Sequence, residues 1–229
     1  YNAFLMLSNG LEAKVGTLGS KYEFFHEWKR LKESDAGRVE LETMLRGICE
    51  KKTFLDLLEN FILYDHSGGR TTKILARNHQ YLGVNEAVSA YENRKLKDGR
   101  LGVFWHTQGS GKSYSMVFLA QKIRRKFAGS PTIVVLTDRD ELNRQISDTF
   151  ENCGLLGKTK ASQFIASSGI DLVKKLQGNP SFVFTLIQKF NLPKEPPIYP
   201  DHDILILSDE AHRSQYGLSL IHILTLPTT

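Results

Sequence analysis

A glycine-rich loop between a strand and a helix constrains the fold of this chain more than any other feature. The apolar run Leu101–Trp105 predicts a buried strand, and the segment HTQGSGKS follows it directly, ahead of a helical pattern. Glycines let such a loop turn tightly, and its backbone N–H groups and those of the helix start then converge on one anion. The order of strand, loop and helix therefore predicts a polyphosphate-binding site. Its predicted nucleotide-binding residues are Thr107, Gly109, Ser110, Gly111, Lys112 and Ser113.

Two side chains of this loop have specific expected roles. Lys112 is expected to reach the β- and γ-phosphates of a nucleotide, and the Ser113 hydroxyl is expected to ligate Mg²⁺. The strict pattern has glycine at its first position, where this chain has His106. A Gly/Ser turn without a ligand is the competing interpretation. The strand before the loop and the helix after it favour ATP with Mg²⁺.

Apolar runs of strand length alternate with helical patterns in the second half of the chain. Strands with near-continuous Val, Ile and Leu, separated by helices, predict a parallel sheet that is covered on both faces. The expected fold class is therefore α/β. The predicted strands are Leu101–Trp105, Thr132–Thr137, Ser181–Thr185 and Asp203–Leu207.

An acidic motif follows the fourth predicted strand, Asp203–Leu207. Carboxylates at the carboxyl end of a buried parallel strand point into the crevice where such folds bind ligands. Asp209 is expected to hold Mg²⁺ through water, and Glu210 to orient and deprotonate the attacking water. His212 is expected to link the nucleotide site to the parts of the protein that move. The loop and this motif support each other, because phosphoryl transfer needs a phosphate cradle and a metal-bound acid.

Polar residues also follow the second and third predicted strands. Thr137, Arg139 and Thr185 stand at strand ends, where hydroxyl and guanidinium groups can contact nucleic-acid phosphates. A capped helix start, with Asp138 or Asp140 as the N-cap, is a second interpretation for the first two and is compatible with DNA contact. For Thr185 the alternative is plain packing. These residues are therefore weaker candidates for DNA contact.

A further candidate lies ahead of the first predicted strand. The segment Arg77–Tyr81 opens a helical pattern, and the Gln80 carboxamide is of the kind that reads adenine through two hydrogen bonds. A solvated helix face is the competing interpretation.

Charge and composition limit the partners of the chain. The formal net charge is +5 and the pI is near 9.1, which permits a polyanionic partner without requiring one. Two cysteines, Cys49 and Cys153, exclude a disulfide framework and a cysteine-based zinc site. No apolar run approaches the ~20 residues that span a membrane, and no signal peptide is recognisable. We therefore expect a cytoplasmic protein without a membrane partner.

The N-terminal part has its own pattern. Residues 3–18 hold two apolar stretches around an Asn-Gly turn signal and predict a β-hairpin. From Glu40 to Tyr64 the apolar spacing is helical, with a break at which Thr53 can cap a second helix. The Gly-rich segment 66–70 predicts a loop and a domain boundary.

Several longer segments carry a family resemblance. They are WHTQGSGKS (Trp105–Ser113), VVLTDRDEL (Val134–Leu142), TLIQKF (Thr185–Phe190) and DEAHRSQYG (Asp209–Gly217), with SNGLEAKVGTL, EFFHEWKR, LRGICEKKTFLDLLENFILY and HQYLGVNEAV upstream. Together they resemble the motor, or R, subunit of type I restriction endonucleases, a superfamily 2 helicase-type translocase. The resemblance covers about residues 4–217, and that family itself carries His at the position of His106.

The resemblance implies a RecA-like P-loop NTPase domain in an ATP-hydrolysing, type I site-specific deoxyribonuclease. Such an enzyme moves duplex DNA with ATP and Mg²⁺ before it cuts, and works with methyltransferase and specificity subunits. The residues that the resemblance assigns to the ATPase site are Lys112, Ser113, Asp209, Glu210 and His212, with Gln80 as an adenine contact and Thr137 and Arg139 on the DNA track.

The resemblance also implies a division of the chain. The expected parts are residues 1–35 as the edge of a restriction-endonuclease-like nuclease domain, 36–69 as a helical connector, 70–217 as a first RecA-like domain, and 218–229 as a foreign tail. The nuclease carboxylates and the second motor domain, with its arginine finger, would lie outside this chain. We therefore expect the chain alone to be inactive.

Two other functions remain open from the sequence. One is a different superfamily 2 helicase or remodeller, which an RNA- or chromatin-binding segment upstream would favour over a nuclease-type sheet. The other is a module that binds ATP or DNA without hydrolysis.

Overall fold

The computed structural model describes residues 2–97, 99–105, 107, 109–190, 202–209 and 220–226. The chain divides into two compact units, Tyr1–Glu86 and Ala87–Thr229. The strands are β1 (Leu5–Ser8), β2 (Ala13–Gly16), β3 (Ile62–Asp65), β4 (Thr72–Leu75), β5 (Arg100–Trp105), β6 (Thr132–Thr137), β7 (Phe182–Leu186), β8 (Ile204–Asp209) and β9 (Leu220–Leu226). The helices are α1 (Leu41–Ile48), α2 (Lys51–Asn60), α3 (Asn78–Glu92), α4 (Lys112–Lys126), α5 (Asp140–Asn152), α6 (Ala161–Phe164) and α7 (Gly169–Gln177).

The predicted hairpin near the N-terminus is confirmed. β1 and β2 pair antiparallel from Leu5 opposite Gly16 to Ser8 opposite Ala13. Asn9 fixes the turn, because its Oδ1 accepts hydrogen bonds from the backbone N–H groups of the second and third residues after it at 3.0 and 2.7 Å. The Asn side chain thus imitates a backbone turn, as this residue type commonly does.

The helical pattern between residues 40 and 64 forms α1 and α2, but two of its details differ from the prediction. Glu50 caps α2 in place of Thr53, since the Glu50 Oε2 atom accepts a hydrogen bond from the Thr53 N–H at 2.8 Å. The predicted helix also continues too far, because Ile62–Asp65 forms β3 and pairs antiparallel with β4. A short apolar run fits either period, and the ladder with β4 decides it.

The second unit is built on a five-stranded sheet in the order β5-β9-β8-β6-β7. β6 runs parallel to both of its neighbours, β7 and β8, with α4 between β5 and β6 and with α5, α6 and α7 between β6 and β7. The predicted α/β fold class is therefore confirmed. β6 has the predicted bounds, and β7 and β8 each begin one residue later than predicted.

β9 is a strand that the sequence prediction did not include. It lies between β5 and β8 and pairs antiparallel with both. It falls within residues 218–229, which were predicted to be a foreign tail, and the origin of that segment stays a prediction. Because β9 is antiparallel to both neighbours, β5 and β8 run in the same direction.

Side chains alternate between the two faces of this sheet. One face packs on α7, and its core is Val134, Ala166, Leu172, Leu176, Val183, Ile204 and Ile206, with Leu136 against it. The opposite face, here called the α5 face, packs on α5. There the Phe150 ring contacts the rings of Phe182 and Phe184, with centroids 5.5 and 5.3 Å apart.

The ends of β6 and β8 place two polar residues on the α5 face. Leu136 lies opposite Ser208 in the parallel register, and Leu136 packs on the α7 side. The next residue on each strand, Thr137 and Asp209, points to the other face because side chains alternate. Thr137 and Asp209 therefore share the α5 face at the carboxyl edge of the sheet.

Candidate nucleotide site

The loop between β5 and α4 turns through glycines in the left-handed conformation. Gly109 has φ of +77° and Gly111 has φ of +86°, values that residues with a Cβ rarely adopt. Gly111 is the N-cap of α4, so the helix begins without a capping side chain. A helix N-terminus of this kind directs its first N–H groups and its positive dipole end towards an anion.

Ser110 stabilises the loop through hydrogen bonds to another loop residue. Its backbone N–H and its Oγ both donate hydrogen bonds to the Thr107 carbonyl oxygen, at 3.2 and 2.6 Å, and Ser110 is buried. Thr107 and Gly109 are exposed, whereas Lys112 and Ser113 are half-buried in the first turn of α4. His106 and Gln108 lie outside the described residues. Phosphate binding by this loop stays a prediction.

Asp209 lies at the same edge of the sheet as this loop. It is the last residue of β8 and is only 5% exposed. β5 and β8 run in the same direction, so the loop that follows β5 and the carboxylate that ends β8 both lie at the carboxyl edge, with β9 between the two strands. The two other residues of the acidic motif, Glu210 and His212, lie outside the described residues.

The residues present at this edge fit ATP with Mg²⁺. Mg²⁺ prefers oxygen ligands and is usually held by one or two carboxylates, water and the phosphates of the nucleotide. The Ser113 hydroxyl and the Asp209 carboxylate are donors of this kind. Over the described part of the chain, no group of three His, Cys, Asp or Glu side chains forms a metal site.

Gln80 lies in the first unit, in the first turn of α3. It is 3% exposed, and its Oε1 atom accepts a hydrogen bond from the Arg77 N–H at 2.9 Å. Gln80 is therefore not on a solvated helix face, and its side chain caps the helix that contains it. Its contact with adenine stays a prediction.

The three predicted DNA contacts differ in exposure. Thr137 and Thr185 are buried, and their hydroxyl groups donate 3.4 Å hydrogen bonds to the carbonyl oxygens of Arg139 and Leu186. Only Arg139 is at the surface, with its side chain 52% exposed. Arg139 is also the N-cap residue of α5, so the predicted caps Asp138 and Asp140 are wrong. DNA contact by all three residues stays a prediction.

Sequence reasoning missed two residues at this edge. The Gln188 Nε2 atom donates a hydrogen bond to the Asp138 carbonyl oxygen at 3.1 Å, which joins the segment after β7 to the end of β6. Asn143 is 1% exposed inside α5. The available signal was the position of Asn143 three residues before Ile146 and seven before Phe150, which places the three residues on one face of a helix.

The fold and the loop together define an α/β nucleotide-binding domain of the RecA-like class. A family model described as SWI2/SNF2 ATPase matches residues 79–226. The chain belongs to this ATPase family. In the described ranges, no helix is long and apolar enough to cross a membrane.

Relatives extend the comparison over both units. The chain is 38% identical to the HindI type I restriction enzyme endonuclease subunit of Haemophilus influenzae, over 96% of this chain and 22% of the relative. It is 32% identical to a protein of Methanocaldococcus jannaschii that is provisionally named as the same kind of subunit, over 95% of this chain and 23% of the relative. The predicted resemblance to type I restriction endonuclease subunits is thus confirmed. The chain spans about a fifth of the length of these relatives.

Proposed function

We propose that this chain is the ATP-binding part of a type I restriction endonuclease subunit, in which ATP hydrolysis drives duplex DNA translocation before cleavage. The match to the SWI2/SNF2 ATPase family supports the ATPase part of this proposal, and the names of the relatives support the restriction part. The relatives match residues in both units, which favours this function over a remodeller that shares only the ATPase domain. In this proposal the protein is cytoplasmic and assembles with methyltransferase and specificity subunits.

One observation carries the nucleotide part of the proposal. The left-handed Gly111 begins α4 without a capping side chain, at the sheet edge where β8 ends in the buried Asp209. The helix amides favour the negative charge of a polyphosphate, and the carboxylate favours a cation beside it. This arrangement supports a Mg–ATP site at the carboxyl edge of the sheet.

The residues divide the work of hydrolysis in this proposal. Backbone N–H groups of the loop and the Lys112 ammonium bind and orient the β- and γ-phosphates. Ser113 and Asp209 hold the cation, which when bound supplies charge neutralisation on the phosphates. Glu210 orients the attacking water and accepts its proton, and His212 connects this site to moving parts. Gln80 contacts adenine, and Arg139 with Thr137 and Thr185 forms the DNA track.

Thermal unfolding with and without Mg–ATP tests the nucleotide site. A ligand at a hundredfold its Kd stabilises the folded state by about 2.7 kcal/mol, which raises Tm by several degrees. We expect this rise in Tm for the wild-type chain. We expect the rise to be lost in Lys112→Ala, because the phosphates then lack the positive charge of the Lys112 ammonium.

Lys126→Ala is the matched control for that experiment. Lys126 lies in the same helix, is exposed, forms a surface ion pair with Glu92 at 3.1 Å, and has its Nζ 5.4 Å from the centre of the Phe127 ring. Such pairs contribute little to stability. An equal Mg–ATP shift in wild type and Lys112→Ala would contradict the proposed site.

A further inference from the structure

Asn143 has a buried carboxamide that makes no hydrogen bond within the described structure. The residue is 1% exposed, and neither its Oδ1 nor its Nδ2 atom has a partner among the described residues. Buried polar groups in proteins are nearly always satisfied, and an unsatisfied one costs stability. An apolar side chain at this position would avoid that cost, so a polar residue here needs a reason.

The position of Asn143 within α5 places it near the edge of the sheet. The buried stripe of α5 consists of Asn143, Ile146, Ser147 and Phe150, which is the face that packs on the sheet. Asn143 precedes Phe150 by two turns, about 10 Å along the helix axis. α5 starts directly after β6 and runs back along the sheet, so the start of this stripe lies level with the strand ends.

Asn143 shares its face of the sheet with Asp209. Phe150 fixes α5 on the α5 face, and Thr137 and Asp209 point to the same face at the carboxyl edge. The backbone around Asn143 is anchored to that edge as well. Its N–H donates a hydrogen bond to the Arg139 carbonyl oxygen at 3.0 Å, and the Thr137 hydroxyl donates to the same oxygen at 3.4 Å.

We propose that Asn143 is a positioning residue of the nucleotide site, an inference that rests on the proposed function. When Mg–ATP is bound, the Asn143 Nδ2 donates a hydrogen bond to the Asp209 carboxylate and holds it in the orientation that the cation requires. Without nucleotide the amide makes no hydrogen bond, which lowers the stability of the empty form. When nucleotide binds, the new hydrogen bond restores that stability. A group that orients a metal-holding carboxylate commonly changes metal affinity by about 10–100-fold.

Asn143→Leu separates this role from simple packing. Leucine has the same branching and number of heavy atoms as asparagine and removes the unsatisfied amide, so we expect the Tm of the nucleotide-free chain to rise by about 2–4 °C. The Mg²⁺ concentration that gives half of the ATP-induced Tm shift should rise about tenfold or more, because Asp209 is no longer held. Both quantities come from thermal unfolding of the full chain in a Mg²⁺ titration at fixed ATP.

Ser147→Ala is the control, and Asn143→Ser is the second variant. Ser147 is buried on the same stripe, but its Oγ donates to the Arg144 carbonyl oxygen at 2.9 Å, so its loss should leave the Mg²⁺ midpoint unchanged. Asn143→Ser keeps a donor on a shorter side chain and should give an intermediate midpoint, which preserves the test if the leucine variant does not fold.

An unchanged Mg²⁺ midpoint in Asn143→Leu, or in Asn143→Ser if only that variant folds, would overturn this inference while the proposed function stands. A wild-type chain without any ATP-induced shift would overturn both together.

Discussion

At the scale of single residues, burial changes the protonation behaviour of His26 in the first unit. Desolvation, followed by the nearby positive charge of Arg77, lowers the pKa of His26 from 6.5 to about 4. Its Nε2 atom is buried without a hydrogen-bond partner among the described residues, and its backbone pairs with Val15 at 2.8 and 2.9 Å. The folded unit therefore requires the neutral imidazole.

This requirement makes the stability of the first unit depend on pH. As the pH falls below 6.5, the unfolded chain binds a proton at His26, but the folded chain does so only near pH 4. The free energy of unfolding should thus be fully present above pH 6.5 and should fall between 6.5 and 4, by on the order of 3 kcal/mol. His26→Phe should remove this part of the slope.

Urea unfolding followed by tryptophan fluorescence measures the slope. The chain has two tryptophans, and Trp28 is buried in the first unit. A Trp105→Phe background therefore makes the signal report on that unit. The same slope with and without His26 would refute the linkage.

Individual side chains were the hardest level to predict from the sequence. The loop residues, Lys112 and Ser113 among them, were predicted from their spacing, and their binding of phosphate and Mg²⁺ stays a prediction. The burial of Thr137 and Gln80 was not foreseen, since a single polar residue at a strand or helix end fits a surface role and an interior role equally well. Only the tertiary packing distinguishes the two.

At the scale of elements, the start of α4 depends on the backbone conformation of Gly111. Its φ of +86° and ψ of +39° lie in the left-handed region, where a residue with a Cβ costs about 1–2 kcal/mol more than glycine. Gly111→Ala should therefore lower the Tm of the chain. It should also weaken the ATP-induced shift, because relief of the strain redirects the first amides of the helix.

Gly178→Ala provides the matched comparison for that variant. Gly178 also borders a helix, as the C-cap of α7, but its φ of −81° suits any residue and an added Cβ would meet only ordinary contacts at 3.4 Å or more. We expect near-wild-type Tm and an unchanged ATP shift. Calorimetry of the two variants side by side makes the test, and equal losses in both would contradict the role of the left-handed turn.

Strands and helices were predicted well where the apolar pattern was long and bounded by turn residues. β6 matches its prediction, because a run of β-branched residues buried on both faces leaves little ambiguity. β3 was assigned to a helix because four residues are too few to define a period. β9 was not predicted, since the pairing partners that make a strand of it are β5 and β8, far away in the sequence.

At the scale of the whole molecule, the chain belongs to the SWI2/SNF2 ATPase family and matches type I restriction enzyme subunits over most of its own length. The chain spans about a fifth of the length of its relatives. In related NTPases, an arginine supplied from another domain or protein raises the hydrolysis rate by about 10³–10⁵-fold. We propose that this chain holds the nucleotide-binding half of the motor, and that the transition-state charge is stabilised by residues elsewhere in the full subunit.

Phosphate release from Mg–ATP, measured with bound nucleotide in the presence and absence of duplex DNA, tests this claim most directly. The expected result is weak Mg–ATP binding that Lys112→Ala abolishes, with negligible phosphate release whether or not DNA is added. DNA-stimulated turnover comparable to an intact motor and lost in Lys112→Ala would contradict it, because the chain would then contain a complete ATPase site.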